Sequence, residues 1–380
     1  MTSHAFSPAP VDQAAILAFI KALTAIESPT SCPAGVNAAL DAVAALFAGT
    51  GAELKRLACP GYGDMLEIRI HPGRPGPGVL ALAHIDTVHP VGTIDKALTL
   101  RQEGDKLFGP GVYDMKGGLS LAVFAAKAIL EGKRATRGPL TVLITPDEEV
   151  GSPASRAHIE ALARENRAVL VVEPARDGGR IVTARKGVGR FLVKTKGAPS
   201  HAGSYHQAGA NAISEMARQI AIIDGFTDYA RGITVNVGLI TGGTGVNVVA
   251  EHCVAEIDLR VADASAGEEM TARFHALKAV DPRVALTVEG GMNRPAFARD
   301  GGIDALFDLA HGLARDIGFD LASCPPVGGG SDGNFTVAMG VATLDGLGVD
   351  GGGAHTHHEH MLVSSIAPRA QLLQGLMERA

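Results

Sequence analysis

Three short apolar runs, each leading to an acid or an imidazole, constrain this chain more than any other feature. Val79–Ala83 runs into His84, Leu140–Ile144 runs towards Glu148, and Ala168–Val172 runs into Glu173. Apolar runs of this length, bounded by turn-forming residues, read as strands buried on both faces. Polar residues at the ends of such strands converge on one edge of a sheet. Asp86, Asp114, Glu149 and, far along the chain, His355 complete the set. Two histidines and several carboxylates form a divalent-metal ligand set, which a pair of zinc ions suits best.

The spacing assigns parts within that set. In His84-Ile85-Asp86 the polar side chains are two residues apart, so an extended chain points both to one face and Ile85 into the core. A ligating imidazole commonly gives its second N–H to a carboxylate, which Asp86 could supply; alone, the pair is a weak signal whose ordinary reading is a surface His with a nearby Asp. Asp114 lies in the Gly-dense stretch Phe108–Gly118, ahead of an apolar helix over Leu119–Leu130. Its carboxylate either bridges two cations, one per oxygen, or caps that helix. Asp147-Glu148-Glu149 follows a core strand, where crowded like charges are costly unless protons or cations neutralise them; the alternative is a solvated acidic loop.

At 380 residues, two domains are expected, and 46% hydrophobic residues with 48 glycines and 4% aromatics suit an α/β protein with many short turns. Lys and Arg are dispersed in a chain of net charge -6, which excludes a basic nucleic-acid surface. Cys32, Cys59, Cys253 and Cys324 form no C-x-x-C pair and read as reduced thiols. No stretch reaches the ~18 apolar residues of a membrane span. Met1–Pro10 lacks a basic region followed by an apolar one, so a cytoplasmic location is the default.

Apolar periodicity predicts helices over Val11–Ile26 and Ala34–Phe47 and a strand over Met65–Ile70. From Arg180 the pattern changes to strands Arg180–Ala184 and Arg190–Lys196, helix Asn211–Ile223, strands Gly232–Ile240 and Val246–Val261, helix Ala266–Val280 and strand Val284–Val288. That is an inserted α+β module of ferredoxin-like character. The expected division is 1–175 and 292–380 for a catalytic domain, a mixed sheet flanked by helices, with 176–291 inserted.

The motifs His84-Ile85-Asp86, Gly109-x-Gly111-x-x-Asp114-Met115-Lys116-Gly117-Gly118 and Asp147-Glu148-Glu149-Val150-Gly151-Ser152 resemble the co-catalytic zinc metallopeptidases that include carboxypeptidase G, the aminoacylases, acetylornithine deacetylase and succinyl-diaminopimelate desuccinylase. The resemblance extends over nearly the whole chain. It implies that His84 binds one zinc, Asp114 bridges both, Glu149 binds the other, and Glu148 is the general base. Glu173, in Glu173-Pro174, becomes a ligand beside His84, and His355, in Gly351–Met361, becomes the last ligand, with Glu359 as the acid that follows it. His357, His358 and His360 depart from the family pattern and are rivals to His355 for metal. Two Zn2+ per subunit are implied, with Co2+ or Mn2+ as substitutes.

In the inserted module, taken as a lid and dimerisation domain, Gly197–Gly203 resembles the family's G-x-x-S-H-A-G. Its histidine, here His201, reaches into the partner subunit and stabilises the tetrahedral intermediate, so a homodimer is implied. Asn247 matches an asparagine that binds substrate in relatives. Arg260 either reaches a substrate carboxylate or pairs with Asp258. Arg294, in Arg294-Pro295-Ala296-Phe297, resembles an arginine of carboxypeptidase G and would grip a terminal carboxylate with its planar fork. The loop Gly328–Gly333, with Gly329 and Gly330, would bring backbone to the substrate. The implied activity is hydrolysis of an amide bond next to a free carboxylate in a small peptide, of the glutamate carboxypeptidase type. The alternative is an N-acyl-amino-acid deacylase, and a third class is a non-catalytic metal-dependent binding protein on the same scaffold.

Overall fold

All seven residues of the strand Gly78–His84 are buried, as a continuous apolar run requires of a strand covered on both faces. In the computed structural model, which describes residues 6–380, it is one of seven strands in the first half of the chain. These are β1 (Glu53–Cys59), β2 (Gly63–Ile70), β3 (Gly78–His84), β4 (Arg101–Glu103), β5 (Lys106–Phe108), β6 (Leu140–Thr145) and β7 (Asn166–Val171). Four strands follow, β8 (Gly187–Lys196), β9 (Thr234–Gly242), β10 (His252–Val261) and β11 (Ala285–Arg294). The last stretch carries β12 (Ala342–Leu344), β13 (Gly351–Gly352) and β14 (His360–Leu362).

The chain divides into two units. One holds the chain up to Ala184, Arg299–Val327 and Ser331–Ala380; the other holds Arg185–Ala298 with Gly328–Gly330. The divisions thus fall after Ala184 and Ala298, where the sequence places them after residues 175 and 291. The first difference has a local cause: Ile181 and Val182 bridge to Ser323 and Asp345, both in the first unit.

In the first unit a six-stranded mixed sheet runs in the order β1-β2-β6-β3-β7-β12. β3 lies parallel to both β6 and β7, and β12 parallel to β7, while β1 and β2 are antiparallel. Leu80, Leu82, Leu143, Val169 and Val171 pack with Ile159 and Leu162 of the helix Arg156–Glu165. Each such side chain contributes about 1.5–3 kcal/mol by its burial, which anchors the strand ends that matter below. The helix Gly117–Glu131 starts hard against the end of β7: a Cβ at Gly118 would lie 1.9 Å from the Val172 carbonyl oxygen, so only glycine fits there. β1 escapes sequence detection because it is an exposed edge strand rich in charge and lacks an apolar period.

The second unit has the connectivity β-α-β-β-α-β, with helices Ala212–Asp224 and Ala264–His275 and an antiparallel sheet in the order β11-β8-β10-β9. This is the ferredoxin-like arrangement. Phe191 of β8 stacks on Phe274 at 4.1 Å within its core. Two expected strands are corrected. Arg180–Ala184 makes only isolated bridges and joins no sheet, because extended backbone becomes a strand only where a partner runs alongside it. The strand expected to begin at Val246 begins at His252, since Val246 and Asn247 lie in a turn closed by the Val248 N–H on the Gly245 carbonyl.

No helix of the described residues is long and apolar enough to cross a membrane. All four cysteines are free.

Candidate metal centre

β6, β3 and β7 are neighbours, so the residues after their carboxyl ends share one edge of the sheet, where open α/β sheets place their sites. His84 closes β3 in register with Thr145 of β6. Glu148 and Glu149 follow β6 in a single 3-10 turn, and Glu173 lies two residues past β7. Asp114 arrives on the turn Val112–Lys116, which enters through Gly111 in the left-handed region (φ 74°). Ligand atoms of His84, Glu148 and Glu173 lie within 4.8 Å of one another, as do those of His84, Asp114 and Glu149.

Asp114 stands between two imidazoles. Its Oδ1 is 3.3 Å from His84 Nε2, and its Oδ2 is 3.4 Å from His355 Nε2. Each imidazole has a further carboxylate: Glu173 Oε1 lies 3.7 Å from His84 Nε2, and Glu149 Oε2 lies 3.2 Å from His355 Nε2. The result is two half-sites joined by one carboxylate. Helix capping, the other sequence reading of Asp114, is not what its side chain does here.

Fixed partners orient these groups. His84 Nδ1 donates to the Asp86 backbone carbonyl at 2.9 Å and lies 3.4 Å from Asp86 Oδ1, which leaves Nε2 as the nitrogen that could ligate a metal. The Asp86 carboxylate does more than the sequence suggests. It accepts from the Thr30 hydroxyl at 2.7 Å and from the N–H groups of Glu148 and Glu149 at 3.2 and 3.3 Å. Glu359, which the sequence offers only as an acid following His355, is buried and accepts from the N–H groups of Gly111, Tyr113 and Asp114. Thr30 and His89, the ring facing Glu359, carried no sequence signal.

The electrostatics fit a cation pair. Hydrogen bonds to Asp114 and Glu149 push the His355 imidazole up to about 11. Burial pushes His84 down, but hydrogen bonds to Asp114 and Asp86 outweigh it and hold the ring well above its ordinary value. Burial pushes the Glu149 carboxyl up, with the hydrogen bond from His355 opposing it. The cluster therefore demands positive charge, which protons on the two rings or metal ions can supply. Glu149 Oε1 is buried and has no hydrogen-bond partner, as an oxygen shaped for a cation would be. Oxygen and imidazole nitrogen ligands at a buried strand edge suit divalent metal.

His355 is the imidazole of its loop that meets the cluster. His357 and His358 are exposed, and His360 Nδ1 bonds the His358 carbonyl while its ring lies 5.3 Å from that of Phe108.

The remaining candidates belong to the second unit. His201 is exposed, and its Nδ1 accepts from the N–H groups of Gly203 and Ser204 at 3.2 and 3.1 Å, so a neutral ring carries its proton on Nε2. Ala202 N–H donates to the Asn247 carbonyl and Val249 N–H to that of Ser200, both at 2.9 Å, which sets His201 and Asn247 on adjoining turns. The Arg260 fork holds Asp258 through two bonds of 2.7 and 2.9 Å, the pairing alternative of the sequence reading. Arg294 is buried, and its stem crosses Gly330, where a Cβ would come within 2.7 Å of Arg294 Cδ. The Gly329 carbonyl accepts from Arg185, a second buried guanidinium that the sequence did not point to.

The description "Peptidase family M20/M25/M40" matches residues 80–379. Carboxypeptidase G2 of Pseudomonas sp. (strain RS-16) is 30% identical over 373 residues, covering 96% of this chain and 88% of the relative. Succinyl-diaminopimelate desuccinylase of Cupriavidus taiwanensis is 27% identical over 330 residues, covering 81% and 83%. In fold, the chain is similar to an M20 family metallo-carboxypeptidase from Sulfolobus solfataricus, with a TM-score of 0.76 at 16% identity over 96% of this chain and 98% of that one. It is also similar to aminopeptidase PepT from Bacillus cereus, with a TM-score of 0.72 at 22% identity over 97% and 98%.

Proposed function

The chain belongs to peptidase family M20/M25/M40, and from that premise we propose that it is a two-zinc exopeptidase of the glutamate carboxypeptidase type, cleaving the amide bond next to a free carboxylate. The observation that carries this reading is the double engagement of Asp114, one oxygen towards His84 and the other towards His355, each with its own glutamate. Two divalent ions held by these residues would polarise the scissile carbonyl and make a water nucleophilic at neutral pH.

Glu148, whose backbone is pinned by Asp86, takes the proton of the attacking water and delivers it to the leaving amine. The Nε2–H of His201, from a neighbouring copy of this chain, donates to the developing oxyanion. A homodimer is supported by β9, a sheet-edge strand whose Leu239 and Ile240 are 62% and 51% exposed. Arg294 receives the substrate carboxylate, with Asn247 and the backbone at Gly329 and Gly330 beside the substrate. Arg260 would have to release Asp258 to take part. The four free cysteines suit the reducing cytoplasm.

Similarity to carboxypeptidase G2 favours glutamate release, and similarity to the desuccinylase favours the second reading, an N-acyl-amino-acid deacylase. Family membership and the presence of Glu148 oppose a purely binding role. Purified protein in zinc-containing buffer, offered a folate or dipeptide with C-terminal glutamate against N-acetyl and N-succinyl amino acids, separates the readings. Faster glutamate release supports the first; acyl release alone replaces it with the second.

A further inference from the structure

Asp114 can serve two half-sites only if its carboxylate is held in one place, yet it sits on a turn that enters through a glycine. The backbone of that turn is gathered onto one side chain. Gly111 N–H donates to Glu359 Oε2 at 3.0 Å, and the N–H groups of Tyr113 and Asp114 donate to Oε1 at 2.9 and 3.0 Å. His89 Nε2 meets Oε2 at 2.7 Å, so two donors reach each oxygen and the capacity of a carboxylate is filled. Glu359 and His89 are 1% and 5% exposed, so water does not compete for these bonds. The buried Lys116 ammonium nearby interacts favourably with Glu359 and donates to the carbonyls of Leu23 and Ile26.

Glu359 also follows His355 by four residues. A single segment thus grips Asp114 twice, at its N–H through Glu359 and at its carboxylate through His355. We propose that Glu359, clamped by His89, is the positioning residue that presents the two Asp114 oxygens to two metals and so governs how tightly the pair is held. The proposal rests on the reading of Asp114 as a shared ligand.

The test uses the metal-free protein, titrated calorimetrically with Zn2+ and, in parallel, with Co2+ followed by visible absorption. Wild type should take up two equivalents. In Glu359→Gln the side chain keeps one acceptor oxygen, and its amide nitrogen must face donors. At least one equivalent should then bind ~10–100-fold more weakly, with an altered Co2+ spectrum, at a temperature where the variant is folded. A merely structural role would lower the melting temperature and leave both affinities and the spectrum unchanged, and that result overturns the proposal. Should Glu359→Gln not fold, His89→Ala keeps the carboxylate and its three backbone donors; about tenfold weaker binding supports the brace and wild-type affinity overturns it. Fewer than two equivalents in wild type would remove the shared-ligand reading and the brace with it, whereas two in wild type and unchanged affinities in the variants remove the brace alone.

Discussion

The Glu148 N–H donates to Asp86 Oδ1 at 3.2 Å, so the residue that orients His84 also fixes the start of the turn bearing the proposed base. The proposed metal ligand and the proposed general base are thereby referred to one buried carboxylate, itself held by Thr30.

Asp86→Ala should therefore lower kcat/KM by ~10–100-fold, as the loss of a group orienting a ligand does. Thr30→Val, which removes only one of its donors, should move activity the same way by less. Steady-state kinetics on both variants check this; equal activity in Asp86→Ala would mean that His84 and the acid pair need no common anchor.

Glu148→Gln should keep both metals while turnover falls by ~10²-fold or more, the scale of a lost general base. Elemental analysis beside kinetics tests the pair of outcomes. Unimpaired turnover would sink the assignment, and loss of metal would make Glu148 a ligand instead.

Stripping divalent ions with a chelator should abolish activity and lower the melting temperature, because Asp114, Glu149 and Glu173 are left crowded at a buried edge. Two equivalents of zinc should restore both. A melting temperature indifferent to metal would argue that the ions are not held by this cluster.

Replacing Arg294 with Lys removes the planar fork but not the charge. KM for substrates with a free carboxylate should rise about tenfold or more, and KM for amidated analogues should change far less. A uniform effect on both substrate types would deny Arg294 the role of anchor.

Stability should depend on pH through Glu215 in the second unit. It is fully buried and accepts from the N–H groups of Val280 and Asp281 and from Gln219 at 2.8, 3.0 and 2.8 Å. Burial alone would raise its carboxyl, but these donors together with Arg218 hold it below its ordinary value. A depressed carboxylate adds stability that is complete above its ordinary pKa and is lost as pH falls through the lowered one. Glu215→Gln should cost about 1–3 kcal/mol near neutral pH and flatten the loss of stability below pH ~4. Melting curves from pH 7 to 3 decide it.

Apolar runs announce buried strands because burial on both faces leaves no place for a polar side chain, so β3, β6 and β7, and the residues at their ends, are legible in the sequence. His84, Asp114, Glu148, Glu149, Glu173 and His355 likewise stand out by motif and position. What the chain order could not show was who holds them. Glu359 is 248 residues from Gly111 and 270 from His89, and Thr30 is 56 from Asp86. The same limit explains Arg180–Ala184, whose extended backbone met no strand partner, and Arg260, whose fork went to Asp258. Period and hydrophobicity are properties of neighbours along the chain, and they determined the strands and the edge. A hydrogen bond depends on a donor and an acceptor meeting near 3 Å, and only the folded chain decides which of the many polar groups meet.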